Sequence, residues 1–283
     1  MILLHPALRR SLAFCASAAI CASAAFAQGD NGFLRGTGHS DIVLTFNRDS
    51  YDEFWVGNDK VSDPAVGKVT RDSYALYAAY GLRDDMDLVF SGSYVKAESD
   101  GNAGFEDESD LQDAYLGAKW RFWTNIQDKH GFALLFAPSV KLPMTDYEDN
   151  AVTAIGDGQV DLRGRLIAHY QMANGFYAAL ESGYDVRNGA PKDEVPLNLS
   201  VGATFGMVTL TPFYSRVFSQ GGPDIGAPGF TFPSVQEEYS RVGLGAYVRI
   251  GDGFGLTGMW RTTIDGLNTG DVESFSLGLV VRF

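Results

Sequence analysis

Charged side chains recur at every second position in several segments of this sequence. Lys119 and Arg121 are spaced in this way, as are Arg163 and Arg165. In a β-strand, residues two apart point to the same face, so such pairs would place their charges side by side on one surface. A surface of this kind could bind and orient ions or small polar solutes. The candidate set is Lys119, Arg121, Arg163, Arg165, Glu181, Arg187, Arg241 and Arg261.

The same charges allow a purely structural alternative. Arginines paired with aspartates and glutamates on neighbouring strands would fill and brace a narrow barrel, with no part in binding or passage. Suitable acidic residues, among them Asp161 and Asp185, follow the same alternation. Both interpretations need the charges on an inner face, so the elements that carry them must be identified.

Residues that could perform catalysis or hold a metal are few. Cys15 and Cys21 both precede position 28, and His39, His130 and His169 show no spacing that would set a base beside a nucleophile and an orienting group. We therefore predict no catalytic residue and no cofactor. The acidic clusters in the polar connections lack the spacing of a calcium loop, so no metal site is predicted either.

The first 27 residues have the features of a secretory signal peptide. Arg9 and Arg10 provide a basic start, residues 11–26 are apolar and rich in Ala, and residues 25–27 fit a small-x-small cleavage site. A membrane-spanning anchor is the alternative, but the apolar stretch is somewhat short of the roughly 20 residues that a span needs. Cleavage would change the formal net charge from −13 to −15, which argues against nucleic-acid partners.

Twelve segments show the two-residue alternation that is typical of half-buried β-strands. Most are about ten residues long, enough for a tilted strand to cross a membrane, and an even number brings both termini to one side. We therefore predict an all-β fold, a transmembrane antiparallel β-barrel over residues 41–283, after a periplasmic lead of residues 28–40. The predicted strands are 41–48, 73–82, 86–96, 111–122, 131–142, 159–171, 175–187, 195–205, 208–218, 239–250, 254–264 and 273–283.

The connections between these strands alternate between short and long. The short ones contain Gly, Asn or Asp, which favour tight turns, and only 123–130 is longer. Outer-membrane barrels alternate short periplasmic turns with long external loops, whereas a soluble β-sandwich is not expected to do so throughout. Connection 219–238 is rich in Gly and Pro, and we expect it to gate the lumen. The long connections are 49–72, 97–110, 143–158, 188–194, 219–238 and 265–272.

The last strand shows the two faces of the predicted sheet. Phe275, Leu277, Leu279, Val281 and Phe283 alternate with mostly small or polar residues up to the carboxyl terminus. We expect the apolar face to contact outer-membrane lipid, because an Arg or Lys facing the middle of a bilayer costs about 2–4 kcal/mol. The terminal aromatic resembles the closing strand of outer-membrane barrels, so Phe283 is expected to be recognised by the barrel-assembly machinery.

Five segments contain recognisable motifs: YGLRDDM at 80–86, SDL at 109–111, LGAKWRF at 116–122, VKLP at 140–143 and GDGQVDL at 156–162. Together they resemble the outer-membrane family associated with the meta pathway of phenol degradation. The resemblance extends over roughly residues 73–202 and departs from the family pattern at 144–146. It implies a transport barrel in the bacterial outer membrane for aromatic and other small compounds.

The leading functional hypothesis is passive passage of small solutes across the outer membrane, with the eight charged residues as candidate lining. Through the resemblance, aromatic or hydrophobic compounds are among the expected solutes. A barrel hydrolase and a barrel that only binds or anchors are the competing hypotheses. With twelve strands, the lumen should be wider than the filled interior of an eight-stranded barrel and narrower than a porin of 16–18 strands.

Overall fold

The computed structural model describes residues 30–283. The predicted signal peptide, residues 1–27, and the first two residues of the predicted lead lie outside the described residues. The regular secondary structure of the described part is β-strand, apart from one 3-10 turn at Phe232–Ser234. No helix within residues 30–283 is long and apolar enough to cross a membrane.

Fifteen strands follow one another along the described residues, and each predicted strand is present within a few residues of its predicted bounds. The largest difference is the start of β4 at Val69, four residues before the predicted start. The strands are β1 (Ser40–Tyr51), β2 (Phe54–Val56), β3 (Asp59–Val61), β4 (Val69–Arg83), β5 (Met86–Ser99), β6 (Glu108–Leu111), β7 (Ala114–Thr124), β8 (Gly131–Leu142), β9 (Asp161–Gln171), β10 (Phe176–Arg187), β11 (Glu194–Phe205), β12 (Val208–Ser219), β13 (Glu238–Arg249), β14 (Phe254–Leu267) and β15 (Glu273–Arg282).

The sheet closes on itself as an antiparallel barrel. β1 pairs with β15 on one side and with β4 on the other, and β4 pairs with β5. β6 and β7 both pair with β5 and act as one interrupted strand, broken at Gln112 and Asp113. The barrel therefore has twelve strands, as predicted. A single closed sheet excludes the two-sheet sandwich, in which strands remain at the edges.

The two ends of the barrel are built differently. At one end, short turns join the strands and the first and last strands meet, with the Ser40 amide donating to the Phe283 carbonyl over 3.1 Å. We call this the turn end, and the opposite end, with the long connections, the loop end. The hairpin of β2 and β3 lies in the first long connection and was not predicted. Its Trp55 packs over Gly266, and the Trp55 amide donates to the Thr269 carbonyl over 2.8 Å.

The outer surface of the barrel is apolar and the inner surface is polar. Leu277 and Ile250 expose 65% and 61% of their surface, whereas Lys119 is 2% exposed and His169 is fully buried. A protein dissolved in water would bury large apolar side chains and expose charges, so the distribution is inverted relative to a soluble fold. The alternation predicted from the sequence therefore places lipid-compatible side chains outside and charges inside.

Candidate solute path through the barrel

Six of the eight predicted charged residues line one cavity of about 170 Å³ inside the barrel. At the roughly 30 Å³ that one water occupies in the liquid, this volume has room for about six water molecules. Arg121 and Arg187 are not among the residues that line it in the described chain. The six that do are Lys119, Arg163, Arg165, Glu181, Arg241 and Arg261.

Three of these charges lie in a compensated group on the side of the cavity nearer the turn end. The Lys119 ammonium is 3.0 Å from a carboxylate oxygen of Asp30. Arg165 forms an ion pair with Asp185, and its Nε lies 3.8 Å from a carboxylate oxygen of Glu181. The structural alternative, in which charges brace the barrel, is therefore a good description of Lys119, Arg165 and Glu181.

Arg163 and Arg261 each contact one carboxylate and retain further donors. Arg163 Nε donates to Asp185 over 3.1 Å, and the guanidinium lies 4.9 Å from the ring centre of Tyr115. Arg261 donates to Asp49 over 3.0 Å and to the Ser274 hydroxyl over 2.8 Å. Both side chains are held in place, and each still faces the cavity.

Arg241 is the least compensated charge of the set. Its Nε donates to the Thr263 hydroxyl over 3.3 Å, and its guanidinium lies 3.8 Å from the ring centre of Tyr239. No carboxylate oxygen of residues 30–283 lies within 4.0 Å of the Arg241 guanidinium. Cation–π contact offsets part of the cost of burying the charge but does not neutralise it.

A second hollow of about 260 Å³ lies against the wall formed by β1, β4 and β5. It is lined mainly by small polar side chains, including Asn47, Ser73 and Ser93. Both hollows share the side chains of Tyr77, Tyr115 and Arg261. They are therefore adjacent compartments of one lumen.

Arg121 and Arg187 lie at opposite ends of the barrel. Arg121 donates to the Asp84 carbonyl over 2.8 Å at the turn end. Arg187 forms ion pairs with Asp157 and Glu194 at the loop end. The two-residue alternation carries no information on depth along the lumen, so it could not separate these two residues from the other six.

Residues 30–35, which we call the inner segment, lie inside the turn end. The Asp30 amide donates to the Glu181 carboxylate over 2.6 Å, and the Arg35 amide donates to Asp87 over 3.0 Å. Arg35 also forms an ion pair with Asp41. The sequence prediction treated residues 28–40 as a periplasmic lead ahead of the barrel. Residues 30–35 of that lead contact the barrel wall, and their charges pair with acidic and basic groups of the wall.

Close packing holds the middle of the inner segment. Gly32 lies so near His169 that a Cβ on residue 32 would be 2.3 Å from the His169 Cβ. Phe33 contacts the rings of His169 and Tyr177 edge-on, with ring centres 4.5 and 5.1 Å apart. Leu34 packs against a buried apolar cluster of the wall, which comprises Ala133, Leu135 and Ile167. These residues were not identified from the sequence.

The connection 143–160 folds over the loop end. Asp157 forms ion pairs with Lys141 and Arg187. Burial alone would raise the pKa of Asp157, but these two cations hold it below its usual value. Ile155 is buried against Val95 and Ala97 of the wall. This connection therefore covers part of the lumen.

The connection 219–238, predicted as the gate, packs mainly on neighbouring loops. The Asn268 side-chain amide donates to Asp224 over 2.9 Å and to the Gln236 carbonyl over 3.0 Å. The Phe232 amide donates to Asn150 over 2.9 Å, which joins this connection to 143–160. Connection 143–160 is instead tied to the wall through Lys141 and Arg187, which do not line the first hollow. Gating by 219–238 stays a prediction.

The three histidines of the described residues lie in three different environments. His39 contacts the Phe283 carbonyl, His130 contacts the Tyr170 hydroxyl, and His169 packs under the inner segment. Within residues 30–283, no group of three His, Cys, Asp or Glu side chains has the arrangement of a metal site.

A model of the family described as "Putative MetA-pathway of phenol degradation" matches residues 25–279. The chain belongs to this family. Among solved structures, the family member is similar to the COG4313 outer membrane channel from Pseudomonas putida F1, with a TM-score of 0.75 and 15% identity over 90% of this chain and 100% of that one. It is also similar to the NanC porin, with a TM-score of 0.52 and 6% identity over 86% and 98% of the two chains. At these identities the likenesses show the barrel fold. No curated protein sequence matches this family member.

Proposed function

We propose that this chain is a bacterial outer-membrane channel through which small solutes pass passively. The observation that carries the proposal is a closed twelve-stranded barrel, apolar outside, that encloses a hollow lined by charges. A closed β-barrel satisfies every backbone hydrogen bond inside a membrane, and its polar interior can hold water. The similar structures described as an outer membrane channel and a porin support this reading.

The proposed path runs through the two adjacent hollows between the inner segment and connection 143–160. Its lining includes Lys119, Arg163 and Arg261, and the whole set predicted from the sequence remains the candidate lining. Both covering segments must shift or leave a narrow gap for a solute to cross. The channel is thus expected to conduct weakly at rest.

Aromatic solutes are the favoured class. The rings of Tyr77, Tyr115 and Tyr239 line the first hollow, and the family description refers to phenol degradation. Tyrosine rings offer both an apolar face and a hydroxyl to a small aromatic compound. The fold itself does not select the solute, so this choice rests on the lining side chains.

One specific observation favours a second candidate, a barrel that binds a solute without conducting it. The inner segment occupies the turn end and contacts the wall through charge pairs and close packing. A permanently fixed segment would leave the hollow open only towards the loop end. An enzymatic role has less support, because the described histidines show no catalytic arrangement.

We also propose that the turn end faces the periplasm and that Phe283 is read by the barrel-assembly machinery. Phe283 is 67% exposed, and its amide donates to the Ser40 carbonyl over 3.0 Å where the barrel closes. Phe283→Ala is expected to slow barrel assembly in cells while leaving the fold of detergent-refolded protein intact. Equal assembly rates for both proteins would contradict this role.

Planar-bilayer recordings test the channel proposal. Discrete current steps are expected from the reconstituted chain. Absence of steps would favour the binding barrel, and ester hydrolysis abolished by a Ser or His substitution would favour the enzyme.

Leu277→Arg and Ser276→Arg are a matched pair that tests which face of the barrel contacts lipid, because Leu277 faces outwards and Ser276 lines the second hollow. The outward arginine should cost about 2–4 kcal/mol of barrel stability in lipid, and the inward one far less.

A further inference from the structure

The Arg241 guanidinium has donors that no described acceptor uses. Its Nε donates to Thr263, and the face of the guanidinium lies on the Tyr239 ring. An arginine carries five N–H donors, so the four on its terminal nitrogens remain without a described partner. Arg241 lines the first hollow, and these donors are therefore available to a molecule inside it.

The hollow and its direct ion-pair partners carry a surplus of one positive charge. The five basic side chains are Lys119, Arg163, Arg165, Arg241 and Arg261, and the four carboxylates are Asp30, Glu181, Asp185 and Asp49. Arg163 and Arg261 lie on the same cavity, and their nearest carboxylates are Asp185 and Asp49. Asp185 is shared with Arg165, so it does not neutralise Arg163 alone. Asp49 and Glu237 attract Arg241 only from beyond ion-pair distance, and Arg261 repels it. Arg241 is half-buried and has no paired anion in the described chain, so its charge is only partly solvated, which makes this place favourable for an added negative group.

The remaining walls of the hollow suit an organic body. Val89, Pro138, Pro196 and Val217 contribute apolar surface, and Tyr115 and Tyr239 contribute rings. A guanidinium matches a carboxylate geometrically, because two parallel N–H groups can donate to its two oxygens. An inorganic anion would use the donors but leave the apolar walls in contact with water.

We propose that Arg241, with Arg163 and Arg261, forms a subsite in the lumen for the carboxylate of a small organic acid, whose apolar or aromatic body rests on the surrounding walls. This subsite deepens the proposed function and relies on it only for access of solute to the lumen. The subsite gives Arg241, which forms no ion pair within residues 30–283, a role in binding the solute. The solute class becomes organic anions, in addition to neutral aromatic compounds.

Equilibrium binding to the full chain in detergent micelles tests this proposal without requiring conduction. The probes are benzoate, its neutral isostere benzamide, and inorganic phosphate. Wild-type protein should bind benzoate at least about tenfold more tightly than benzamide, since a charge-assisted bidentate contact is lost with the amide. Phosphate should bind more weakly than benzoate. Equal affinity for benzoate and benzamide would overturn the subsite, and tighter binding of phosphate would overturn the organic acid as its ligand.

Arg241→Met removes the charge and keeps much of the side-chain length. It should weaken benzoate binding by at least about tenfold and leave benzamide binding nearly unchanged. Arg216→Met is the matched control, because Arg216 lies on the neighbouring strand β12 and contacts Phe218 and Ser240 outside the cavity lining. Unchanged benzoate affinity in Arg241→Met would refute the subsite.

Two comparisons keep the test decisive whatever the variant does. If Arg241→Met fails to fold, the wild-type comparison of benzoate with benzamide still decides the question. Bilayer recordings separate this inference from the proposed function: binding without current steps retains the subsite and overturns the channel. Current steps without preferential benzoate binding retain the channel and overturn the subsite.

Discussion

The two segments that cover the lumen are held by different forces. Connection 143–160 is held chiefly by charge, through Asp157 between Lys141 and Arg187. The inner segment is held by ion pairs of Asp30 with Lys119 and of Arg35 with Asp41, by backbone donors, and by close packing of Gly32 on His169, which connection 143–160 lacks. A contact made by charge responds to pH and to single polar substitutions, whereas one made by shape responds to added volume. We therefore expect that the two ends of the barrel can be opened independently.

Asp157→Asn should have the largest effect at the loop end. The substitution removes two charge-assisted contacts and is expected to cost about 3 kcal/mol of docking free energy for connection 143–160. Docking can be followed with an environment-sensitive fluorophore on Ala151→Cys, and the current step should increase. Asp149→Asn is the matched control, since Asp149 lies in the same connection and forms no ion pair within the described chain. Equal behaviour of the two variants would show that charge does not hold the loop.

Gly32→Ala should have the next largest effect, at the turn end. The added Cβ would collide with His169, so docking of the inner segment should weaken by about 2 kcal/mol, in the range of overpacked sites. The expected readout is a larger current step with an unchanged signal from the loop fluorophore. Gly251→Ala serves as control, because a Cβ there meets nothing within 4 Å. A response at the loop end in Gly32→Ala would contradict independent opening.

Acidification should release the loop end only at low pH. Burial would raise the pKa of Asp157, but Lys141 and Arg187 lower it overall. A carboxylate with a lowered pKa in the docked state stabilises docking at pH values above its free pKa, about 3.9, and loses this effect as pH falls through the lowered value. The fluorophore signal should stay constant from pH 7 to about pH 4 and change below that. A change in the fluorophore signal near pH 6 would show that a group other than Asp157 controls docking of the connection.

Arg48→Ala should have the smallest effect. Arg48 and Asp72 pair on the outer surface, with 57% of the Arg48 side chain exposed. Exposed ion pairs contribute at most about 1 kcal/mol, so barrel stability should change little and conductance should not change. Thermal unfolding in detergent and bilayer recordings measure the two quantities. A change in conductance would mean that outer-surface charges also control the path.

The strands and their inner faces could be predicted because alternation is a local property. In β15, the apolar Leu277 indicates the lipid side and the polar Ser276 indicates the lumen side. Six of the eight charged candidates line the first hollow. Depth within the lumen is not local, since it depends on strand tilt and register. Arg187 therefore lies in the loop-end charge network, a position that its place in the alternation could not indicate.

The covering segments could not be predicted because their partners are distant in sequence. Asp30 contacts Glu181, 151 positions away, and Lys119, 89 positions away. An irregular segment has no periodicity that would indicate these partners. The unpaired state of Arg241 is equally invisible, since it depends on which carboxylates the register brings near. The small apolar pattern at Gly32, Phe33 and Leu34 is the only local sign of packing in the inner segment.

Single-channel recording of the Gly32→Ala, Asp157→Asn double variant beside wild type tests the central claim most directly. The account predicts small discrete current steps from wild type and clearly larger steps from the double variant, because both covering segments are then loosened. If the double variant folds as a barrel in lipid and passes no more current than a bare bilayer, the interior is not a solute path.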